Sequence, residues 1–373
     1  MVAISQVRFA LVGSGWRSGF FLRLAHQAPE RFVVTGVVTR TADRGAELES
    51  TWKVPTYRSV SELLAAERPE FVVPCVPWSQ TASTTTELVD AEVPVLAETP
   101  PAEDLDGLRS LWARVGPSGL VQVAEQYLRM PGHAARLALV RRGVIGDVTS
   151  VQVSSTHLYH AVSMIRGLLD VGTGQVTVRA QSFPAPLANP LNPEGWTGSA
   201  QPEELATTLA TLDFGTARMG LYDFTDNQWW NPLRQRRIVI RGSMGEIVDD
   251  RVVRLTDPYT PVESRLLRRQ AGIDLNLEGV DLRHISFDGE VVYRNDFAGA
   301  RFSEDDLAVA DLLADMAAWC RGEGPEPYPL AEGCQDHLIS LAIMEASRTG
   351  QPVTTSTEEW SQPDPALTPL AVG

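Results

Sequence analysis

Lysine is nearly missing from this chain. Lys53 is the only one in 373 residues, and the remaining positive charge is arginine. Lysine is therefore struck from the candidates for catalysis. Cysteine is scarce too: Cys75, Cys320 and Cys334 are widely spaced, with no CxxC, which excludes a disulfide framework and a thiolate metal site and points to a reducing compartment. No window approaches ~18 consecutive apolar residues, and the N-terminus has no basic region followed by a long apolar run, so neither a membrane span nor a leader is expected. The expected location is the cytoplasm. The net charge is -15 and no basic stripe exists to neutralise phosphates, so nucleic acid is not an expected partner. Pairs such as Arg141-Arg142 and Arg236-Arg237 read as solvated faces.

What is present is an ordinary globular composition, 43% hydrophobic and 21% charged, long enough for about two domains. The organising stretch runs from Val7 to Gly19. Val7-Arg8-Phe9-Ala10-Leu11-Val12 reads as a buried strand and Trp16 to Ala28 as a helix, with Gly13-Ser14-Gly15-Trp16-Arg17-Ser18-Gly19 between and into it. This is the strand, turn and helix of a dinucleotide site. Gly13 permits the tight turn, and Gly15 lets backbone approach a pyrophosphate at the helix N-terminus. Ser18 takes the place of the third glycine and is small enough for close helix packing.

Strand and helix then alternate to about residue 125: Phe32 to Val38, Asp43 to Ser50, a helix capped by Ser59, Phe71 to Val76, Thr84 to Ala91, Val93 to Ala97, Leu105 to Val115, Leu120 to Ala124. Alternation implies a parallel sheet covered on both faces. After a helix from Pro131 to Arg142, extended segments come in runs: Val148 to Leu158, Gln175 to Phe183, Leu205 to Asp213, Ala217 to Phe224, Arg237 to Arg241, Glu246 to Leu255, His284 to Phe287 and Val291 to Arg294. A helix from Ser303 to Arg321 opens with a capping box of Ser303 and Asp306, and another runs near Cys334 to Arg348. The expected fold class is an α/β N-terminal Rossmann domain plus an α+β C-terminal domain with an open, largely antiparallel sheet. The expected divisions are 1–126, 127–353 and a loose tail over 354–373.

Hydride chemistry needs one protein group that takes or gives a proton near neutral pH. The densest supply is Ser154-Ser155-Thr156-His157-Leu158-Tyr159-His160-Ala161-Val162-Ser163. If the strand continues to Leu158, His157 and Tyr159 share one face and His160 opens the next helix. His160 is the first candidate for general acid/base, against a structural histidine; His157 is the second. Neither has carboxylate or thiolate company, so no metal site is expected. Tyr127 follows the last Rossmann strand and is expected at the substrate cleft, with rim packing as its alternative. Thr99 could hold a water or a substrate hydroxyl. Asn227-Gln228-Trp229-Trp230-Asn231 would suit sugar stacking or, equally, buried packing.

At the end of the second strand, Thr39-Arg40-Thr41 carries no acidic residue to accept from ribose hydroxyls. Arg40 could pair with a 2'-phosphate, with Thr39 and Thr41 as donors, which favours NADP over NAD. The residues expected to hold the nucleotide are Gly13, Ser14, Gly15, Trp16, Arg17, Thr39, Arg40, Val76, Pro77 and Glu98.

Several motifs stand in a familiar order: the Gly13 turn, Ser61-Glu62-Leu63-Leu64, Val73-Pro74-Cys75-Val76-Pro77, Glu98-Thr99-Pro100, Gly143-Val144-Ile145-Gly146, His160, Gly245-Glu246-Ile247, and Glu345 to Val353. In these the chain resembles the Gfo/Idh/MocA family of oxidoreductases. The resemblance implies an N-terminal Rossmann domain, a C-terminal open sheet used for homodimers or homotetramers, and a sugar, cyclitol or polyol substrate held between domains against nicotinamide. It also matches His160 to the family's site histidine. The family's Glu-Lys-Pro stands here as Glu98-Thr99-Pro100, without its catalytic lysine, and its later aspartate and histidine or tyrosine positions are Ser163 and Gly167. Three functions are compatible: an NAD(P)-dependent oxidoreductase with His160 or Tyr127 replacing the lysine; a redox-neutral lyase, epimerase or glycosidase that retains its nucleotide; or a catalytically silent nucleotide-binding protein.

Overall fold

A computed structural model describes residues 6–215, 217–272 and 279–361. The chain divides into two compact units. The first is Met1–Met130 with Ala271–Asp281 and Asn295–Cys334; the second is Pro131–Gln270 with Leu282–Arg294 and Gln335–Gly373. The return of 295–334 to the first unit is a feature that linear boundaries at 126/127 and 353/354 do not contain.

The first unit opens β1 (Val7–Val12), α1 (Trp16–Gln27), β2 (Phe32–Val38), α2 (Ala42–Trp52), β3 (Thr56–Tyr57) and α3 (Val60–Ala66). It continues with β4 (Phe71–Pro74), α4 (Trp78–Asp90), β5 (Val95–Ala97), α5 (Leu105–Val115) and β6 (Val121–Val123). All six strands are parallel, in the order β3-β2-β1-β4-β5-β6. That order reverses between β1 and β4, so a crevice for a ligand lies beyond their C-terminal ends. The strands are apolar on both faces because helices cover both. Phe9 stacks on Phe71 at 5.6 Å and meets Phe21 of α1 edge-on at 6.2 Å.

Of the second unit, the elements in order are α6 (Pro131–Arg141), β7 (Val148–Ser154), α7 (Leu158–Leu169), β8 (Thr177–Ala188), β9 (Leu191–Asn192), β10 (Gly195–Trp196), β11 (Pro202–Asp213) and β12 (Met219–Thr225). Next come β13 (Arg237–Gly242), β14 (Gly245–Val248), β15 (Arg251–Asp257), β16 (Thr260–Arg265), β17 (Leu267–Ala271), β18 (Asp281–Phe287) and β19 (Glu290–Arg294). The chain closes with α8 (Glu304–Cys320), which lies in the first unit, α9 (Leu330–Thr349) and β20 (Val353–Thr354). Nine strands form an open sheet in the order β16-β15-β14-β13-β7-β12-β11-β8-β20, in which only the β7–β12 pair is parallel. Helix α7 packs on β7 and β12, and its residues Tyr159 to Arg166 are buried.

Helix α8 belongs to the first unit, and ion pairs fix it there. Its capping box is present as expected, with Asp306 N donating to Ser303 Oγ at 3.1 Å and Ser303 N to Asp306 Oδ2 at 3.0 Å. The same Asp306 accepts two bonds from Arg23 of α1, at 2.6 and 3.1 Å. Arg321, just past the helix, holds Glu70 at 2.5 and 2.9 Å.

Four sequence expectations need correction. The strand expected over Val148 to Leu158 stops at Ser154, and the helix begins at Leu158 rather than His160. The extended run Glu246 to Leu255 is two strands, turned at Asp249, whose φ is +52°. The strand expected to end at Phe183 runs on to Ala188 and the one expected from Leu205 begins at Pro202, the two pairing as far as Ala188 with Pro202. The tail expected to be loose from Thr354 is packed through Ser361, since Thr355 brackets Val176 with two bonds of 2.9 Å and Trp360 is buried with its Nε1 on Gln335 Oε1 at 3.0 Å. Residues 362–373 lie outside the described residues.

Candidate functional site

In the first unit the site is built around the end of β1. Gly13 has φ +111°, and a Cβ there would stand 2.2 Å from the Cys75 carbonyl oxygen, so the turn after β1 admits only glycine beside the end of β4. Two backbone bonds set that geometry, Cys75 N to Val12 O at 2.7 Å and Gly13 N to Val38 O at 2.9 Å. Ser18 is fully buried and its hydroxyl donates to Gly13 O at 2.8 Å, so the serine in the third glycine's place ties helix to turn. Gly15 caps α1 without any side-chain bond, and nothing lies within 4 Å of where its Cβ would be. The first amides of α1 have no side-chain acceptor and no acidic residue in their turn, which is the arrangement that receives an anion. Trp16 is 82% exposed beside them. Val76 is half-buried with its Cγ1 3.5 Å from the Gly13 Cβ position, and Pro77 is exposed at the start of α4.

The end of β2 is rich in arginine. Thr39 is buried, and its hydroxyl donates to Thr41 O at 3.2 Å while accepting from Arg58 Nη1. Thr41 caps α2 by accepting from Arg44 N, and Arg44 Nη2 reaches Ser14 O at 2.8 Å. Both threonine hydroxyls are thus engaged within the fold. Arg40 is exposed, while Arg58 and Arg44 are fastened to the Thr39 and Ser14 carbonyls. The sequence reading found Arg40 but not Arg58, because the two-residue β3 that delivers Arg58 beside β2 leaves no periodic signal.

At the end of β5, Glu98 and Thr99 are half-buried, and Glu98 accepts from Arg17 Nε at 2.6 Å. Tyr127 opens a short 3-10 turn after β6, its backbone N donating to Glu125 Oε1 at 3.0 Å. Cys75, buried beside Gly13, has its thiol pushed far up by burial and by Glu98, so it is no thiolate nucleophile.

In the second unit the histidines of the β7–α7 connection meet the Asn227 loop. His157 is the N-cap of α7 and His160 lies in its first turn, their ring centroids 5.2 Å apart; Tyr159 stands 4.5 Å from His160. Trp229 meets His157 at 4.7 Å and Phe224 at 4.6 Å, and its Nε1 donates to Thr156 Oγ1 at 3.4 Å. His337 of α9, which no sequence signal singled out, stands 5.9 Å from Tyr159. The polar members of the loop fasten it. Gln228 Nε2 donates to Ser154 O at 2.8 Å, Asn231 Nδ2 to Ala188 O at 2.9 Å, and Asn227 Nδ2 to Leu191 O at 3.0 Å. Burial, and secondarily the neighbouring His160, push the His157 imidazole down to about 3, so it is neutral at physiological pH, and its Nδ1 is buried without a hydrogen-bond partner among the described residues. Among the described residues no group of three or more His, Cys, Asp or Glu side chains could hold a metal ion, and no helix is long and apolar enough to cross a membrane.

A parallel sheet in the order 3-2-1-4-5-6, with a glycine turn at its switch point and an open-sheet unit following it, defines a Rossmann-type nucleotide-binding protein. Residues 7–125 match the GFO_IDH_MocA model, described as an oxidoreductase family with an NAD-binding Rossmann fold. A myo-inositol dehydrogenase from Corynebacterium glutamicum is similar over 94% of this chain and 99% of its own, with 18% identity and a TM-score of 0.63. A levoglucosan dehydrogenase in complex with NADH and levoglucosan is similar over 94% and 100%, with 16% identity and a TM-score of 0.65. The WlbA dehydrogenase of Bordetella pertussis, in complex with NADH and UDP-GlcNAcA, is similar over 95% and 99%, with 16% identity and a TM-score of 0.61. At these identities the likeness speaks for the fold alone. No curated protein matches the chain.

Proposed function

We propose that the chain is a nicotinamide-dependent oxidoreductase that takes NADP in preference to NAD and acts on a sugar, cyclitol or related polyol, or on the corresponding carbonyl compound. The observation that carries this reading is the uncapped N-terminus of α1 at the switch point, opened by Gly13 and Gly15. The residues that would hold the nucleotide are Gly13, Ser14, Gly15 and Trp16 at the diphosphate, Thr39 and Arg40 near the adenosine ribose, and Val76 and Pro77 further along the crevice, with Arg17 and Glu98 paired beside them. When bound, the nicotinamide supplies the site that accepts or donates hydride.

The protein's part is the proton. His160 is the residue assigned to take it from, or return it to, the reacting hydroxyl, with the Tyr127 phenol as the other candidate and Thr99 to hold a water or a substrate hydroxyl. His157 stays neutral and serves as a hydrogen-bonding group rather than as a base. Arg40 supports NADP because no carboxylate in 39–41 competes for the ribose hydroxyls and its guanidinium is exposed at the strand end. The sugar-like ligands of the levoglucosan and WlbA structures support the substrate class, and Trp229 beside His157 is an aromatic of the kind that packs on sugars. Association of copies through the open sheet is part of the same reading, with Phe183 and Leu209 exposed on its strands.

The experiment is to denature freshly purified protein, identify any released nucleotide, and titrate emptied protein with NADPH and NADH. NADPH is expected to bind at least about tenfold tighter, with Arg40→Asp reversing the order. Equal affinities sink the NADP assignment, and binding of neither sinks the oxidoreductase. With the right sugar found in a panel, His160→Ala or Tyr127→Phe is expected to abolish turnover; full activity in both removes the acid/base assignment.

A further inference from the structure

Arg17 is a half-buried cation in the turn that opens α1. It stands in the first turn of α1, two residues beyond Gly15, yet its side chain does not project to solvent. Its guanidinium lies 5.0 Å from the ring centroids of both Phe20 and Phe21, which orient it, and its Nε donates to Glu98 Oε1 at 2.6 Å. The two side chains are 17% and 15% exposed. In the sheet order β4 lies between β1 and β5, so this pair joins the segment after β1 to the segment after β5 across the end of β4. Cys75, at that end of β4, feels the charge of both partners.

Stability alone does not account for such a pair, because two charges taken largely out of water gain little over an apolar replacement. The location does account for it. A carboxylate at the end of β5 points its charge into the crevice that must accept a doubly charged pyrophosphate, and in a half-buried site that repulsion is weakly screened. We propose that Arg17 is a positioning residue for the dinucleotide: it cancels the charge of Glu98 and holds that carboxylate aside at the nucleotide end of the crevice. This rests on the nucleotide-binding reading above. It also puts a fixed cation on Glu98, the residue before Thr99, although a guanidinium so placed serves as a charge and not as a proton donor.

The test is a double-mutant cycle on the full-length protein, read by NADPH and NADH titration and by the melting temperature of nucleotide-free protein. Arg17→Gln is expected to weaken both nucleotides by about tenfold or more, and Arg17→Gln with Glu98→Gln to bind within about threefold of Glu98→Gln alone, since the loss comes from the uncancelled carboxylate. Arg17→Lys, which keeps the charge, is expected to stay within about threefold of wild type and covers the case in which Arg17→Gln does not fold. A purely packing role predicts the same weak binding with or without Glu98→Gln, or equal losses in Arg17→Lys and Arg17→Gln, and either result overturns the proposal. Failure of the wild-type protein to bind either nucleotide overturns the functional reading itself, which separates the two failures.

Discussion

The imidazole of His157 and the indole of Trp229 meet edge to face, with ring centroids 4.7 Å apart and planes at 85°. The contact joins the β7–α7 connection to the loop after β12, and it places a weakly basic imidazole among Tyr159, His160 and Phe224. A neutral histidine in such company is a pH liability for the fold.

The direction follows from linkage. Burial and His160 hold the folded-state value of His157 at about 3, below the unfolded value near 6.5, so between these limits the unfolded chain binds more protons. Stability is therefore full above about pH 6.5 and falls as pH drops towards about 3. His157→Phe keeps an aromatic ring against Trp229 and removes the titration. Thermal midpoints of both proteins between about pH 7.5 and 4.5 are the measurement, and the variant is expected to lose less stability on acidification. Parallel acid limbs would show that His157 does not carry the effect. His133, also held at about 3 by burial and nearby arginines, is common to both proteins and cancels.

Gly13 and Gly15 separate fold from function at the same turn. A Cβ on Gly13 meets the Cys75 carbonyl at 2.2 Å in a left-handed conformation, whereas one on Gly15 meets nothing and φ there is −82°. Gly13→Ala is expected to destabilise nucleotide-free protein by about 2–4 kcal/mol through steric and backbone strain. Gly15→Ala is expected to leave its unfolding midpoint nearly unchanged yet to weaken nucleotide binding clearly, because the methyl occupies the approach to the α1 amides. Denaturant unfolding without nucleotide and titration with it measure the two effects independently. A Gly15→Ala protein that binds as wild type would remove the diphosphate from this turn.

The residues that were legible in the sequence are those whose role is local. The Gly13 turn, the strands flanking it, the Ser59 and Ser303 caps and the alternation to residue 125 all depend on neighbours a few positions away. What was not legible depends on pairing across the chain. Nothing in Ser154-Ser155-Thr156 marks the end of the strand locally, and the start of α7 is tied to a distant residue, Leu158 N donating to Tyr222 OH, 64 residues on. Arg58 enters the end of β2 through parallel pairing of Val37 and Val38 with Thr56 and Tyr57. His337 is one position on a long, mostly buried helix, and nothing local marks it as the neighbour of Tyr159. The Arg17 to Glu98 pair was not legible either, since 81 residues separate its members.

Arg166 of α7 and Asp336 of α9 form an ion pair at 2.6 Å with side chains 2% and 3% exposed. Its position ties α7 to α9, an anchor expected to help hold α7 in one register over β7 and β12. Removing one partner is far costlier than removing both, because a buried charge is then left to face a low dielectric. Asp336→Asn is expected to cost about 3–5 kcal/mol, while Arg166→Met with Asp336→Leu, which restores apolar packing, is expected to recover much of that loss. Denaturant unfolding of the two variants and the wild type decides it. A single variant as stable as the wild type would mean that other groups around Arg166 already compensate its charge, and that the pair fixes neither stability nor register.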